Sequence, residues 1–239
     1  MSAKGTSGRE RESPLLSSAV FFDFGGTLDA DGVPAGIRFH RAYRGAGGSL
    51  PYGIFAPLFR VSDRRLAQLP GIRTAGFRAG VFAQAALVHE IVPDSARVDR
   101  VALAAGFHEQ AVAAVEQNRP VLERLASTLR LGVVSNAAGN LALCLAELGL
   151  SHVFSVVVDS TVVGFEKPDA RIFTAALTAL GVEADAAWMV GDDPEADIRA
   201  AAALGLKTCW IAPREREAPG GASPTLRICT LADLEGFGG

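Results

Sequence analysis

The sequence predicts a doubly wound α/β protein, a parallel sheet with helices on both faces, interrupted by a mostly helical insertion. Short apolar runs that suit buried parallel strands alternate with segments whose apolar residues recur at helical spacing. Polar residues follow three of these runs: Asp23 and Ser135 come directly after theirs, and Asp192 comes one residue later, after Gly191. Residues 34–120, between the first two of these positions, are rich in helical patterns and poor in strand-like runs.

Each element of the core is predicted from a local pattern. Residues 19–22 form an apolar run that ends at Asp23 and a Gly-Gly pair, which indicates a buried strand followed by a loop. After Pro120 the alternation becomes regular. The further strands are predicted at residues 131–134, 153–158, 187–190, 207–211 and 226–229. The helices are predicted at residues 121–129, 141–148, 170–180, 198–204 and 231–234.

The insertion is predicted to consist of short helices. Residues 64–69, 77–91 and 95–117 carry apolar residues at helical spacing. Prolines are expected to separate the pieces, and they stand at Pro51, Pro57, Pro70, Pro93 and Pro120. The predicted division of the chain is a disordered polar lead-in at residues 1–16, a core at residues 17–33 and 121–239, and the helical insertion at residues 34–120.

Composition and charge exclude several classes of protein. The 239-residue chain, with 49% hydrophobic and 21% charged residues, is apolar enough to bury a sizeable core. Its net charge of −3 argues against nucleic acid as the main partner. Three cysteines without a CxxC pair exclude a disulfide framework and a thiolate zinc site, and they suit a reducing cytoplasm. No apolar run reaches the ~18 residues of a membrane span.

Four clusters of polar residues carry groups suited to phosphate chemistry. Asp23 precedes a flexible turn of Gly25, Gly26 and Thr27, so its carboxylate can approach a phosphorus centre with little hindrance. The other clusters are Ser135-Asn136, Lys167-Pro168, and Asp192-Asp193 with Asp197. Strand ends of a parallel sheet meet at the edge where ligands bind. Lys167 is one of only three lysines in an arginine-rich chain, which favours a specific need for an ammonium.

In this order the clusters resemble the motifs of the haloacid dehalogenase superfamily. VVSNAAG, GFEKPDARIF and MVGDDPEADIRAA are similar to that superfamily's second, third and fourth motifs, and the resemblance covers about residues 20–234. The resemblance implies a Rossmann-like catalytic core and identifies the helical insertion as a cap over the site. It also implies an enzyme that hydrolyses a small phosphorylated substrate.

The resemblance also implies a role for each site residue. Asp23 is expected to attack phosphorus and form an aspartyl-phosphate. Ser135 and Lys167 are expected to hold the phosphoryl oxygens, and Lys167 to offset the charge on Asp23. The residues expected to orient the phosphate are Asn136, Gly26 and Thr27.

Mg²⁺ is the cofactor that the resemblance implies. Its expected ligands are Asp23, the backbone carbonyl of Gly25, and Asp192, with waters completing an octahedron. Asp193 is a second candidate ligand or a support for the first, and Asp197 is a candidate support.

Gly25 departs from the superfamily's phosphatase pattern. Most of these phosphatases carry a second Asp at this position, which protonates the leaving group and then activates water. Glycine has no proton to give, and general acid–base help is typically worth ~10²–10⁴-fold. The chain therefore resembles a phosphatase restricted to good leaving groups, or one whose acid comes from elsewhere. His40, Asp29 and Asp31 are the candidate substitutes.

Other reactions of the superfamily remain as alternatives. Its phosphonate hydrolases use a cap lysine, and the insertion contains none, so that activity is disfavoured. Phosphomutases of the superfamily need the second Asp, and the glycine at position 25 therefore argues against that activity. A 2-haloacid dehalogenase needs neither the second Asp nor a metal, but the acidic groups of Asp192 and Asp193 favour a metal and phosphate. A non-catalytic phosphate-binding protein with a weakened site is the alternative from another class. Arginines of the insertion, such as Arg38 and Arg64, face either solvent or an anionic substrate.

Overall fold

The computed structural model describes residues 19–217 and 223–236, so that the predicted lead-in at residues 1–16 lies outside the described residues. Its six strands are β1 (Ala19–Phe22), β2 (Arg130–Ser135), β3 (Val156–Asp159), β4 (Ala187–Gly191), β5 (Lys207–Ile211) and β6 (Leu226–Ile228). They form one parallel sheet in the order β3-β2-β1-β4-β5-β6. The predicted α/β fold with a parallel sheet is confirmed.

The strand register brings the polar clusters to one edge of the sheet. Phe22, the last residue of β1, pairs with Val133 on β2 and with Val190 on β4. Asp23 follows β1, and its backbone N–H donates to the carbonyl of Val190. On the outer side of β2, Ser135 pairs with Asp159, the last residue of β3. The carboxyl ends of the four strands β1 to β4 therefore meet where a ligand would bind.

Helices cover both faces of the sheet. They are α1 (Ala35–Gly45), α2 (Tyr52–Leu66), α3 (Phe77–Ile91), α4 (Arg100–Ala126), α5 (Leu141–Glu147), α6 (Ser160–Val163), α7 (Ala170–Leu180) and α8 (Ala200–Ala203). A kinked helical turn follows β1 at Phe24–Leu28, and a π-helical segment, Pro194–Arg199, leads into α8. Shorter 3₁₀ turns lie at Ile72–Thr74, Asp94–Ala96, Ala184–Ala186 and Leu231–Gly236. Among the described residues, no helix is long and apolar enough to cross a bilayer.

The alternation of side chains along β1 divides the core in two. Val20 and Phe22 belong to a large apolar cluster that also contains buried residues of α1 to α5. Ala19 and Phe21 point to the other face and pack in a cluster with residues of α7 and α8. Because successive side chains of a strand point to opposite faces, four apolar residues in a row are buried on both sides. The helices of the insertion therefore share a core with one face of the sheet.

Two predicted helix breaks are wrong. Pro57 lies inside α2 and Pro120 lies inside α4, which continues to Ala126. Proline removes one helical hydrogen bond. However, burial of Val121, Leu122 and Leu125 on the following turn holds that end of α4 in place. The proposed boundary between insertion and core at residue 120 consequently falls within one continuous helix.

Candidate active site

The turn after β1 is shaped by glycine. Gly26 has φ of 106°, a value that favours glycine, and a Cβ at this position would lie 2.7 Å from Oδ1 of Asp192. The Gly26 N–H donates to Oδ1 of Asp29 at 2.7 Å, which closes the turn. A larger residue at Gly26 would therefore push apart two of the strand ends that carry carboxylates.

Lys167 and Ser135 hold the carboxylate of Asp23. The Lys167 ammonium donates to Asp23 Oδ1 at 2.6 Å, and the Ser135 hydroxyl donates to the same oxygen at 3.0 Å. No hydrogen bond from a described residue reaches Oδ2 of Asp23. Charge-assisted bonds of this kind are stronger than neutral ones, so they fix the orientation of the carboxylate. One oxygen of Asp23 is held and the other is left for a ligand.

Three buried carboxylates converge at this edge of the sheet. One oxygen from each of Asp23, Asp192 and Asp197 lies within 4.8 Å of the other two. Burial raises the pKa of Asp192 well above its usual value, and the charges of Asp23 and Asp197 raise it further. Burial also raises the pKa of Asp197 to about 6, although the ammonium of Lys167 opposes this shift. Carboxylates crowded in this way repel one another unless a cation lies among them.

Lys167 compensates part of this charge. It bridges Asp23 and Asp197, with Nζ 2.6 Å from an oxygen of each. Burial lowers the pKa of Lys167, but the charges of Asp197 and Asp23 outweigh burial, so the net shift is upward. Asp192 receives no contact from Lys167. The cluster offers only oxygen donors, and Lys167 does not offset all of its negative charge. Both features fit a hard divalent cation such as Mg²⁺.

Asp193 lies outside the three-carboxylate cluster. Its side chain is exposed and accepts hydrogen bonds from the backbone N–H groups of Glu195 and Ala196, so it caps the helical segment that follows. Asp197, by contrast, is 1% exposed and accepts a bond from the Asp193 N–H. The two residues thus differ in position, and Asp197 is the one that shares a site with Asp192.

Asn136 and Asp159 position the surrounding loops. The amide of Asn136 donates to the Lys167 carbonyl at 2.9 Å and accepts from the Lys167 N–H at 2.7 Å, which ties the second cluster to the third. Asp159 accepts from the N–H groups of Gly139 and Leu141, which shapes the loop after β2. Asp159 has no role in the sequence-based prediction, although its position directly after an apolar run is the same signal that marks Asp23.

A cleft of about 600 Å³ opens above these residues. The sheet edge contributes Asp23, Ser135, Lys167 and the acidic groups, while the insertion contributes residues of α1 to α4. The lining from the insertion includes Phe59, Asp63, Arg64, Leu66, Phe77, Val81 and Gln84. Volumes of this size are typical of small-molecule sites. The cleft has room for a small anionic molecule beside the carboxylate of Asp23.

A family model for haloacid dehalogenase-like hydrolases matches residues 18–205 of the chain. The chain belongs to this family. That match spans the strand ends that carry Asp23, Ser135, Lys167 and Asp192, and it confirms the resemblance predicted from the motifs. The family to which the chain belongs is one of hydrolases.

Phosphatases are among the proteins to which this chain is similar. The chain is 43% identical over 86 residues to a phosphoserine phosphatase of Thermus thermophilus, which is 36% of this chain but only 34% of that protein. It is 29% identical to a ribulose-1,5-bisphosphate 5-phosphatase of Halopiger xanaduensis, over 84% of this chain and 87% of the relative. A 2-haloacid dehalogenase from Pseudomonas syringae pv. Tomato shares 27% identity, with a TM-score of 0.53, over 92% of this chain and 96% of its own.

Asp29, Asp31 and His40 were the candidates to replace the acid that is absent at position 25. Each of them contacts another group of the protein. Asp29 forms a buried ion pair with Arg38 at 2.7 Å. Asp31 accepts hydrogen bonds from the Asn118 amide and the Leu231 N–H. The His40 ring nitrogen Nε2 lies 2.9 Å from the carbonyl of Leu50. Of the three, only Asp29 lines the cleft.

Two further predicted residues do not reach the cleft. Thr27 is fully buried, and its hydroxyl has no hydrogen-bond partner among the described residues. The N–H of Gly26 is occupied by Asp29. Their role in orienting a phosphate stays a prediction.

Arg216, on the connection from β5 to β6, does line the cleft, and no sequence motif predicted it.

Proposed function

We propose that this hydrolase is a Mg²⁺-dependent phosphatase that acts on small phosphate monoesters through an aspartyl-phosphate on Asp23. The observation that carries the proposal is the asymmetric environment of the Asp23 carboxylate. Lys167 and Ser135 both bind Oδ1, while Oδ2 has no hydrogen bond from a described residue. A carboxylate held in this way presents one oxygen, Oδ2, as the nucleophile.

The proposed reaction has two displacements at phosphorus. Oδ2 of Asp23 attacks, a bond from oxygen to phosphorus forms, and the bond to the leaving group breaks. Water then attacks the phosphorus of the aspartyl-phosphate, which releases inorganic phosphate and restores Asp23. Lys167 and Ser135 donate to the phosphoryl oxygens as negative charge develops on them, and a buried, preoriented donor is more effective than water in this role.

A divalent cation is proposed to complete the site. Asp23, the backbone carbonyl of Gly25, and Asp192 would hold Mg²⁺, with Asp197 or Asp193 in support. Bound Mg²⁺ would offset the repulsion between the anionic substrate and the three carboxylates. The proposal is supported by the close approach of Asp23, Asp192 and Asp197. Phosphatases among the relatives support the choice of phosphate as substrate.

A metal titration with an aryl phosphate tests this function. We expect wild-type protein to hydrolyse the ester only with Mg²⁺, and Asp192→Asn to lose most activity and to need far more Mg²⁺. Asp192 carries the charge that Lys167 leaves uncompensated, so the amide removes a ligand and an attraction for the cation. Asp94→Asn, an exposed carboxylate of the insertion, is the matched control. An unchanged Mg²⁺ response in Asp192→Asn would transfer the ligand role to Asp193 or Asp197.

The glycine at position 25 is proposed to restrict the enzyme to good leaving groups. With His40, Asp29 and Asp31 engaged elsewhere, the leaving group departs as an anion, so log(kcat/KM) should fall steeply as its pKa rises. Slow hydrolysis of the aspartyl-phosphate should also produce a burst of phenol. A Cβ at Gly25 meets nothing within 4 Å, and φ of −80° with ψ of 102° suits any residue. An aspartate can therefore be introduced at this position.

Gly25→Asp should raise the turnover of alkyl phosphates by up to ~10²–10⁴-fold, and that of aryl phosphates much less. Gly25→Asn introduces a side chain of the same size as aspartate but without the acid, so it should not raise the turnover of alkyl phosphates. The measurement is log(kcat/KM) against leaving-group pKa for all three proteins. A flat line for the natural protein would show that another group supplies the proton. Asp63 of α2 would be the first to mutate, because it lines the cleft and desolvation raises the pKa of its carboxyl although the residue as a whole is exposed.

We propose further that residues 34–120 act as a cap. Helices α2 and α3 line the same cleft as the strand ends, so they are placed to contact the part of a substrate that is not transferred. The three cysteines are free, which supports the proposed cytoplasmic location.

Dehalogenation of a 2-haloacid is the second candidate function. The similarity to a solved 2-haloacid dehalogenase favours it, as does the glycine at position 25. The buried carboxylates of Asp192 and Asp197 oppose it, because without a cation they repel a carboxylate substrate. Halide release from a 2-haloacid in the absence of metal would establish this activity. A folded protein that binds phosphate and turns over neither substrate would instead be the non-catalytic alternative.

A further inference from the structure

We propose that Arg216 binds an anionic group of the substrate other than the transferred phosphoryl group. The cleft would then favour phosphate esters that carry a second negative charge. This inference rests on the proposed phosphatase function and narrows its substrate class.

Arg216 presents an unsatisfied donor to the cleft. Its Nη1 atom lies 3.8 Å from Oδ2 of Asp192, which is too long for a hydrogen bond. Nη1 is nevertheless buried, and no described residue accepts a hydrogen bond from it. A buried charged donor without an acceptor is costly, so this conformation is suited to receiving an oxygen anion. The guanidinium is a planar donor that suits carboxylates and phosphates alike.

The position of Arg216 is built into the fold. Arg227, on β6, donates from Nη2 to the carbonyls of Pro213, Arg214 and Arg216, which fixes the connection after β5. The guanidinium carbons of Arg216 and Arg227 lie 5.6 and 4.7 Å from the centre of the Trp210 ring. Trp210 in turn donates from Nε1 to the backbone carbonyl of Asp192. The same residues therefore position Arg216 and Asp192 relative to each other.

The location of Arg216 indicates that it binds a second anionic group of the substrate rather than the transferred phosphoryl group. Lys167 and Ser135 already donate to the carboxylate that would attack phosphorus, and Lys167 connects Asp23 with Asp197. Arg216 contacts Asp192, the one carboxylate of the cluster that Lys167 does not contact. The cleft of about 600 Å³ is much larger than a phosphoryl group, so it has room for a substrate with a second charged end.

Paired esters measure this recognition directly. Phenyl phosphate and 3-carboxyphenyl phosphate differ by one carboxylate, and Asp23→Asn protein should bind both without turning them over. By calorimetry with Mg²⁺ present, we expect Asp23→Asn to bind the carboxylated ester more tightly. Adding Arg216→Gln should reduce that preference about tenfold or more, with little change in the affinity for phenyl phosphate. Arg214, an exposed arginine of the same connection, provides the control. Adding Arg214→Gln in place of Arg216→Gln should leave the preference for the carboxylated ester intact.

The outcomes separate this inference from the function on which it rests. Equal losses for both esters in the Arg216→Gln protein would mean that Arg216 holds the transferred phosphoryl group, which overturns the inference. An unchanged preference would overturn it as well. Because binding is measured without turnover, a carboxylate preference that depends on Arg216 would support the inference even if wild-type protein hydrolysed neither ester. In that case the phosphatase proposal alone would fail.

Discussion

Asp23→Asn should reduce hydrolysis to background, a loss of about 10⁴-fold or more. An amide is not a nucleophile toward phosphorus, and it is a poorer ligand for Mg²⁺ than a carboxylate. The substitution is nearly isosteric, and it removes one of three crowded carboxylates, so the fold should be retained. The measurement is steady-state and single-turnover kinetics with an aryl phosphate, with the melting temperature as the test of folding.

The Asp94→Asn protein is the matched control for the loss of one carboxylate, since Asp94 is exposed and pairs only with Arg97 among its described contacts. It should retain wild-type turnover. If folded Asp23→Asn protein turned over the ester at near the wild-type rate, the covalent mechanism would be wrong, and the carboxylates of Asp192 and Asp197 would have to act by activating water.

Lys167→Ala should lose both activity and stability. Removing one donor to developing charge typically costs ~10²–10³-fold in kcat. Lys167 is buried, and its ammonium holds Asp23 and Asp197 together. Without it two buried carboxylates face each other, and loss of one partner from a buried ion pair typically costs about 3–5 kcal/mol. Kinetics and the melting temperature measure the two effects separately.

A second substitution separates the structural role of Lys167 from its catalytic role. Asp197→Asn in the Lys167→Ala protein removes the repulsion between Asp197 and Asp23, so it should recover stability without recovering turnover. Lys207→Ala, at an exposed lysine of β5, is the control for loss of an ammonium. Recovery of turnover together with stability in the double variant would mean that Lys167 only maintains the fold of the site.

Strand ends were the most predictable part of the site. Asp23 and Ser135 directly follow apolar runs, and Asp192 follows one after a single glycine. The carboxyl ends of parallel strands meet at one edge whatever the details of packing. The core helices were also predictable, because their apolar residues recur with a helical period. Both patterns are local in the sequence, so they can be recognised without knowledge of contacts between distant residues.

The features that depend on distant contacts were not predictable from the sequence. The proline at position 120 breaks a helix by local rules, but burial of the next turn overrides it. The sequence predicted Asp193 as a second candidate ligand and Asp197 as a candidate support. The turn after β4 instead makes Asp193 a helix cap and brings Asp197 into the carboxylate cluster. Arg216 carries no motif, and its place in the cleft follows from contacts with Arg227 and Trp210.

The aspartyl-phosphate itself is the central claim, and its direct detection is the sharpest measurement. Protein mixed with an aryl phosphate and Mg²⁺ should be quenched in acid during the burst, digested, and analysed by mass spectrometry. We expect the peptide that contains Asp23 to gain the mass of one phosphoryl group, with no gain in the Asp23→Asn protein or without Mg²⁺. Steady release of phosphate with no phosphorylated Asp23 peptide at any time in the burst would contradict the account.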